Sequence, residues 1–444
     1  MNRNSLKISN GWICQLIGNK VSPIFGDIKV EHGKITKIFR RNFSDYVEKR
    51  IESGNSDYDA CGKLITVPLI NFHDHFYSRL AKGLPISKPL DNFQNVLKNL
   101  WWDLDKKLTF EMIEASSKVA VVEAIKNGVT YIFDHHSSPE AIDGSLGTIA
   151  EVLLDANMRG ALCFETTDRN GAILSKKGLE ENIAYRNKFS GSNLKSLLGL
   201  HASFTLSDDT LMEASELAKE YELGIHIHLC EDLSDRKLSK QYADHFPVKR
   251  LIKNNLLNVK SILGHGVFLT EKEYLQISDS GAAIVYNPDS NLNNAVGLPK
   301  YTKVPVSIPI LIGTDGMHAN IAKSMKQYFL LMRNQKQSFD TSFKLFIKSY
   351  FDQITFVKRY FEDFPNLEEN ERADFIIWDY TPPTPLSETN FWSHFIYGAI
   401  ERNVISVIQD GAFLMKDFKL TTIDENELNK EIFKQGKKLY SLYK

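Results

Sequence analysis

The segment Leu69-Ile70-Asn71-Phe72-His73-Asp74-His75 decides how the rest of the chain is read, because it ends an apolar run in two alternating histidines. Alternate residues on an extended strand point the same way, so both imidazoles can face one ion while Asp74 points elsewhere. Working outward, seven further runs follow: Thr130 to Asp134, Arg159 to Glu165, Leu197 to His201, Gly224 to His228, Ser261 to His265, Ala282 to Asn287 and Ile308 to Asp315. Amphipathic stretches lie between them, among them Phe110 to Asn127, Leu146 to Asn157, Ser207 to Tyr221 and Lys323 to Gln335, with Gly128 and Gly224 as expected helix stops. Strand and helix in alternation imply parallel pairing through right-handed crossovers. Eight such units in about 250 residues suit a closed (β/α)8 TIM barrel better than an open doubly wound sheet. No GxGxxG follows any of the runs.

The two ends of the chain read differently. Leu6 to Ser9, Trp12 to Leu16, Gly26 to Val30 and Ile35 to Arg40 have strand character, as do Arg372 to Trp378, Val404 to Gln409 and Ala412 to Met415. The expectation is an α/β protein with the barrel over 66–369. Residues 1–65 and 370–444 would then form a small β-sandwich domain composed from both termini.

Composition narrows the function. The 444 residues are 43% hydrophobic and 25% charged, and the formal net charge is -1 with both signs interspersed. Without a concentrated basic face, nucleic acid is not an expected partner; a small molecule is. Cys14, Cys61, Cys163 and Cys230 are scattered and read as reduced. Met1 to Ile8 lacks the apolar core of a signal peptide, and no apolar stretch approaches the roughly 18 to 20 residues that span a bilayer. The expected location is the cytoplasm, with no membrane partner.

In a parallel barrel, reactive groups collect at the carboxyl ends of the strands. Most of the 12 histidines fall at the ends of these runs. His73, His75, His228 and Asp315 are the expected ligands of one divalent metal ion, an N3O set suited to Zn2+ with Fe2+ as an alternative. His226 also forms an HxH pair with His228. His228 is preferred because Glu231 lies just beyond it, within reach of the same water. Such an ion makes water nucleophilic near neutral pH. Asp315 can accept that water's proton, His265 can steady the attacking oxygen, and Glu231 can carry a proton to a ring nitrogen and the departing amine.

Together these stretches resemble the amidohydrolase superfamily, in the branch of chlorohydrolases, guanine deaminase and adenosine or S-adenosylhomocysteine deaminases, and above all SsnA-type aminohydrolases. The likeness is carried by "HDHFYSRLAKGL", "VEAIKNGVTYIFDHHSSPEAIDGSLGTI", "CFETTDRNG", "HASFTL", "GIHIHLCED", "GHGVFL", "SNLNNAVG" and "GTDGM", in order from residue 73 to 317. It implies a single-ion site without a carboxylated lysine, since the fourth run ends in His201. It also implies hydrolysis of a carbon-nitrogen bond, with deamination of a heterocycle as the first reading. Cyclic-amide hydrolysis, dechlorination, or a homologue that keeps its metal only for structure are the alternatives. His201, His136 and Asn291 are the expected substrate contacts. The resemblance makes two departures visible: Asp289 where relatives often carry Arg, and a changed segment over 335–370. The aromatic stretch Phe76 to Leu108 suits a lid, packing on the barrel rim, or the interface of a homodimer.

Overall fold

The computed structural model describes residues 5–49, 56–243 and 245–444. Its centre is the eight-stranded parallel barrel, with β1 (Leu69–Asp74), β2 (Val129–His136), β3 (Arg159–Phe164), β4 (Leu194–Ser196 and Leu198–Ala202), β5 (Ile225–Leu229), β6 (Ile262–His265), β7 (Ala283–Tyr286) and β8 (Ile310–Ile312). Successive strands pair in parallel within two sheets, one holding β1 to the first half of β4 and the other the second half of β4 to β8. Parallel bridges from Thr166 to Leu200 and from Asp74 to Asp315 join them into a closed ring. The strands are buried almost throughout, as expected where a barrel interior meets an outer layer of helices.

Between the strands run helices Phe110–Lys126, Ser145–Asp155, Ala172–Phe189, Asp208–Glu220 and Glu271–Ser280, and Ile321–Asn334 follows β8. Their starts follow local chemistry. The Thr109 and Ser207 hydroxyls accept from backbone N–H groups in the first turn, and Thr270 with Glu273 makes a reciprocal capping box. Gly128 adopts φ +72 and ends its helix as expected. Gly224 does not serve that purpose. Glu222, at φ 53, makes the left-handed stop, and Gly224 is there because a Cβ would lie 2.3 Å from the Lys260 carbonyl.

Strands from both termini share one nine-stranded sheet. The two first expected strands are a single one, Ser5–Ile17, with a bulge between Ile8 and Gly11 that the sequence presents as a turn. Leu64–Thr66 is the seam: it pairs in parallel with Trp12 and Ile13 and antiparallel with Ile376 and Ile377. This sheet is tied to the amino end of the barrel. Arg159, the first residue of β3, reaches Asp374 at 2.7 Å and Asp410 at 2.8 and 2.9 Å, and the Tyr131 hydroxyl donates to Asp374 at 2.8 Å. The carboxyl ends of the strands stay clear for a site. All four cysteines are free, and among the described residues no helix is long and apolar enough to cross a membrane.

Candidate active site

His73 and His75 project from the end of β1, His228 from β5 and Asp315 from the turn after β8. The chain turns sharply at Cys230 (φ 50) after β5, at His265 (φ 70) at the end of β6 and at Asp315 (φ 54) after β8, all left-handed. Gly313 permits the approach of β8 to β1, since a Cβ there would lie 2.7 Å from that of His73. The result is a tight cluster. His75 Nε2 lies 3.1 Å from His228 Nε2 and 3.0 Å from Asp315 Oδ1, and His73 Nε2 is 3.6 Å from the same oxygen.

Hydrogen bonding behind the rings decides what they can bind. His75 Nδ1 donates to the His135 carbonyl at 2.5 Å, and His228 Nδ1 donates to the His201 carbonyl at 3.0 Å. A carbonyl only accepts, so in each neutral ring the proton sits on Nδ1 and Nε2 presents a lone pair. His73 Nδ1 faces His226 Nε2 at 2.8 Å, while its own buried Nε2 has no hydrogen-bond partner. Burial holds His228 and His226 well below the ordinary imidazole range and lowers His73 to about 4. Burial also opposes charge on His75, but the hydrogen bond and charge of Asp315 outweigh it and raise that ring to about 9. A proton on His75 serves one neighbour at a time; a divalent cation can serve all four donors. Carbonyl-oriented imidazoles converging with a carboxylate are the donor set of a metal centre.

Two overlapping groups among the described residues could hold an ion: His73, His75, His135 and His228, and His73, His228, His265 and Asp315. His135 and His265 flank the expected quartet. His265 Nδ1 lies 2.8 Å from Asn291 Oδ1, which leaves its Nε2 3.5 Å from Glu231 and 3.8 Å from Asp315. Burial pushes the Glu231 carboxyl up to about 7, against the pull of His265. Asp315 moves the other way: the His73 and His75 rings, whose Nε2 atoms lie 3.6 and 3.0 Å from its Oδ1, overcome its burial and hold it well below the carboxylate range, and Ser290 Oγ donates to it at 2.5 Å.

A cavity opens over this cluster, walled by His75, His228, Asp315, Glu231, His201 and Glu165 and covered by Phe93, Leu97, Trp101, Trp102 and Phe204. Four of the covering residues belong to short helical turns, Phe93–Val96, Leu97–Trp101 and Trp102–Leu104, within the aromatic stretch after β1, and Phe204 lies in the turn Ser203–Thr205 after β4. His201 lies on the wall. His136 does not: its ring packs near Tyr77 and Phe164 and bonds Ser138 at 2.9 Å. Asn291 lies behind His265, and its neighbour Asn294 lines the cavity and donates to Glu231 at 3.4 Å. Asp289 turns away to Ser324, His318 and Lys323, so its charge does not face the cavity. Sequence reading did not single out Glu165, Ser290 or Asn294. Glu165 ends the third run and was open to the same strand-end argument; the other two face inward through a helical turn that spacing does not reveal.

The chain can now be set beside known proteins. A 5'-deoxyadenosine deaminase of Methanocaldococcus jannaschii is 27% identical over 425 residues, covering 94% of this chain and 96% of its own. Among solved structures, a triazine hydrolase variant has a TM-score of 0.80 at 17% identity, covering 98% of this chain and all of its own. An adenosine deaminase from Xanthomonas campestris with bound zinc has a TM-score of 0.76 at 17% identity, covering 98% of both chains. The amidohydrolase family model matches residues 64–414, most of the chain and every residue of the cluster, and the chain belongs to the amidohydrolase family.

Proposed function

We propose that this protein is a metal-dependent aminohydrolase that removes an amine from a heterocyclic small molecule, with one divalent ion held by His73, His75, His228 and Asp315. The observation that carries the reading is the pair of imidazole Nε2 lone pairs 3.1 Å apart beside the Asp315 carboxylate, with Glu231 close by. The relatives named as deaminases of 5'-deoxyadenosine and of 5-methylthioadenosine/S-adenosylhomocysteine support carbon-nitrogen hydrolysis. The N3O donor set and the zinc of the Xanthomonas structure support Zn2+ over Fe2+. The four free cysteines support a cytoplasmic setting. The barrel over 66–369 and the sheet from 1–65 with 370–444 are taken as two domains. The aromatic stretch serves as a lid, since its rings cover the cavity.

When bound, the ion supplies a Lewis acid that makes water available as a nucleophile near neutral pH. Asp315 accepts the first proton of the attacking water as its oxygen bonds to the ring carbon. Glu231 gives its proton to the adjacent ring nitrogen, and His265 steadies the new oxygen. As the carbon-nitrogen bond breaks, the Asp315 proton leaves with the amine as ammonia. The hydroxyl returns its hydrogen to Glu231, leaving a carbonyl. The test is ammonia release by metal-reconstituted enzyme across purines, pterins, pyrimidines and triazines. About one ion per chain and release from one class is the expected result; silence across the whole panel overturns the reading.

A further inference from the structure

One carboxylate on the cavity wall has no place in the hydrolytic step. Glu165, just beyond β3, is 3% exposed and lines the cavity. Its side chain accepts no hydrogen bond from any described residue. His135 Nδ1 and His201 Nε2 each stop at 3.6 Å, and Arg169 Nη2 stops at 3.9 Å. Arg169 is engaged elsewhere, bonding Asp105 and the Ser137 hydroxyl and lying 5.0 Å over the Trp102 ring. A buried carboxylate short of donors is costly, so the cavity is where its partner belongs.

His201 restricts what that partner can be. The Thr205 hydroxyl donates to the Ala202 carbonyl at 3.0 Å, so towards His201 Nδ1, 2.7 Å away, it can only accept. The His201 proton is therefore on Nδ1, and the neutral ring turns an Nε2 lone pair to the cavity. His201 Nε2 and Glu165 Oε1 thus stand 3.6 Å apart on one wall, and since burial raises that carboxyl to about 7, both are acceptors above that pH. That wall repels a ligand edge made of lone pairs and suits one made of N–H or O–H groups.

We propose that Glu165, paired with His201, is a specificity-determining residue that selects substrates presenting hydrogen-bond donors to the wall formed by β3 and β4. The proposal rests on the cavity being the substrate site of the aminohydrolase. The donors come either from ring N–H groups or from sugar hydroxyls, and the two sources separate by experiment. Zinc-loaded enzyme is titrated, with Trp101 and Trp102 fluorescence as the readout, using three probes that have no amine to lose. Xanthine carries ring N–H donors, purine riboside carries hydroxyl donors only, and caffeine carries none. Xanthine or purine riboside should bind, caffeine should not, and the donor-bearing probe that binds identifies the source.

Glu165→Gln should weaken that binding tenfold or more while retaining about one ion per chain, and Glu165→Asp, which keeps the acceptor, should lose less. If Glu165→Gln does not fold, the proposal is judged on Glu165→Asp, which must still weaken binding measurably. Equal binding to the variant and the unaltered enzyme overturns the proposal, as does caffeine binding as tightly as xanthine or no binding by either donor-bearing probe. Failure of the deaminase reading looks different: donor-bearing probes bind in a Glu165-dependent way, but no amino-substituted ring yields ammonia.

Discussion

In the proposed reaction two carboxylates near the centre take different proton roles, and their surroundings move them apart. Burial raises Glu231 to about 7, whereas at Asp315 the adjacent His73 and His75 rings overcome burial and keep it low. Such a split is how one site holds an acid and a base at the same pH. Glu231 is protonated below about 7 and loses its proton as the pH rises through that value, so kcat/KM should have a limb that falls with rising pH near 7. Glu231→Gln should retain the metal, lose roughly 10²- to 10⁴-fold in kcat, and lack that limb in whatever activity remains. Undiminished turnover would remove Glu231 from the reaction. His226 acts one step further back, holding His73 Nδ1 at 2.8 Å. His226→Ala should weaken zinc affinity by about 10- to 100-fold, as loss of a ligand-orienting partner does, measured by competition with a chelator.

At the scale of elements, strand ends were the legible part of this chain. Alternation in His73-Asp74-His75 follows from period-two geometry, which sequence displays directly, and Glu231 was found because it lies just beyond the end of the His228 strand. The choice between His135 and His136 was not legible. β2 runs on through both residues, and which ring turns to the cluster depends on barrel closure. The left-handed turns at Cys230, His265 and Asp315 were equally hidden, because non-glycine residues carry no local signal for them. The lid was visible only as aromatic content. Under the proposed lid reading, its latch is the contact of the buried Asp105 with Arg169, with Trp102 against the guanidinium. Asp105→Ala leaves that guanidinium without its carboxylate, so the lid should open more often. The expected outcome is KM raised about tenfold with a smaller change in kcat, and faster proteolysis within the exposed 87–92 segment. Unchanged proteolysis would show that the latch does not hold the lid.

For the molecule as a whole, the arrangement separates what holds the fold from what performs chemistry. The sheet is fastened at the amino ends of the barrel strands, where Arg159 is 1% exposed and bridges Asp374 and Asp410; Glu165 and the metal-binding cluster lie at the opposite ends. Removing one member of a buried ion pair strands the other in a medium that solvates it poorly, at a cost of about 3 to 5 kcal/mol. Asp374→Ala also takes away the acceptor of the Tyr131 hydroxyl and of the Asp410 backbone N–H. The variant should therefore lower the urea midpoint markedly while leaving kcat per folded, metal-loaded molecule unchanged. Replacing both partners with apolar residues, Arg159→Met with Asp374→Leu, should recover part of the loss, because Asp410 keeps its ion pair with Arg372. A fall in kcat with Asp374→Ala at full metal content and native melting would mean that strain crosses the barrel from the sheet to the cluster, and that the two ends are not independent.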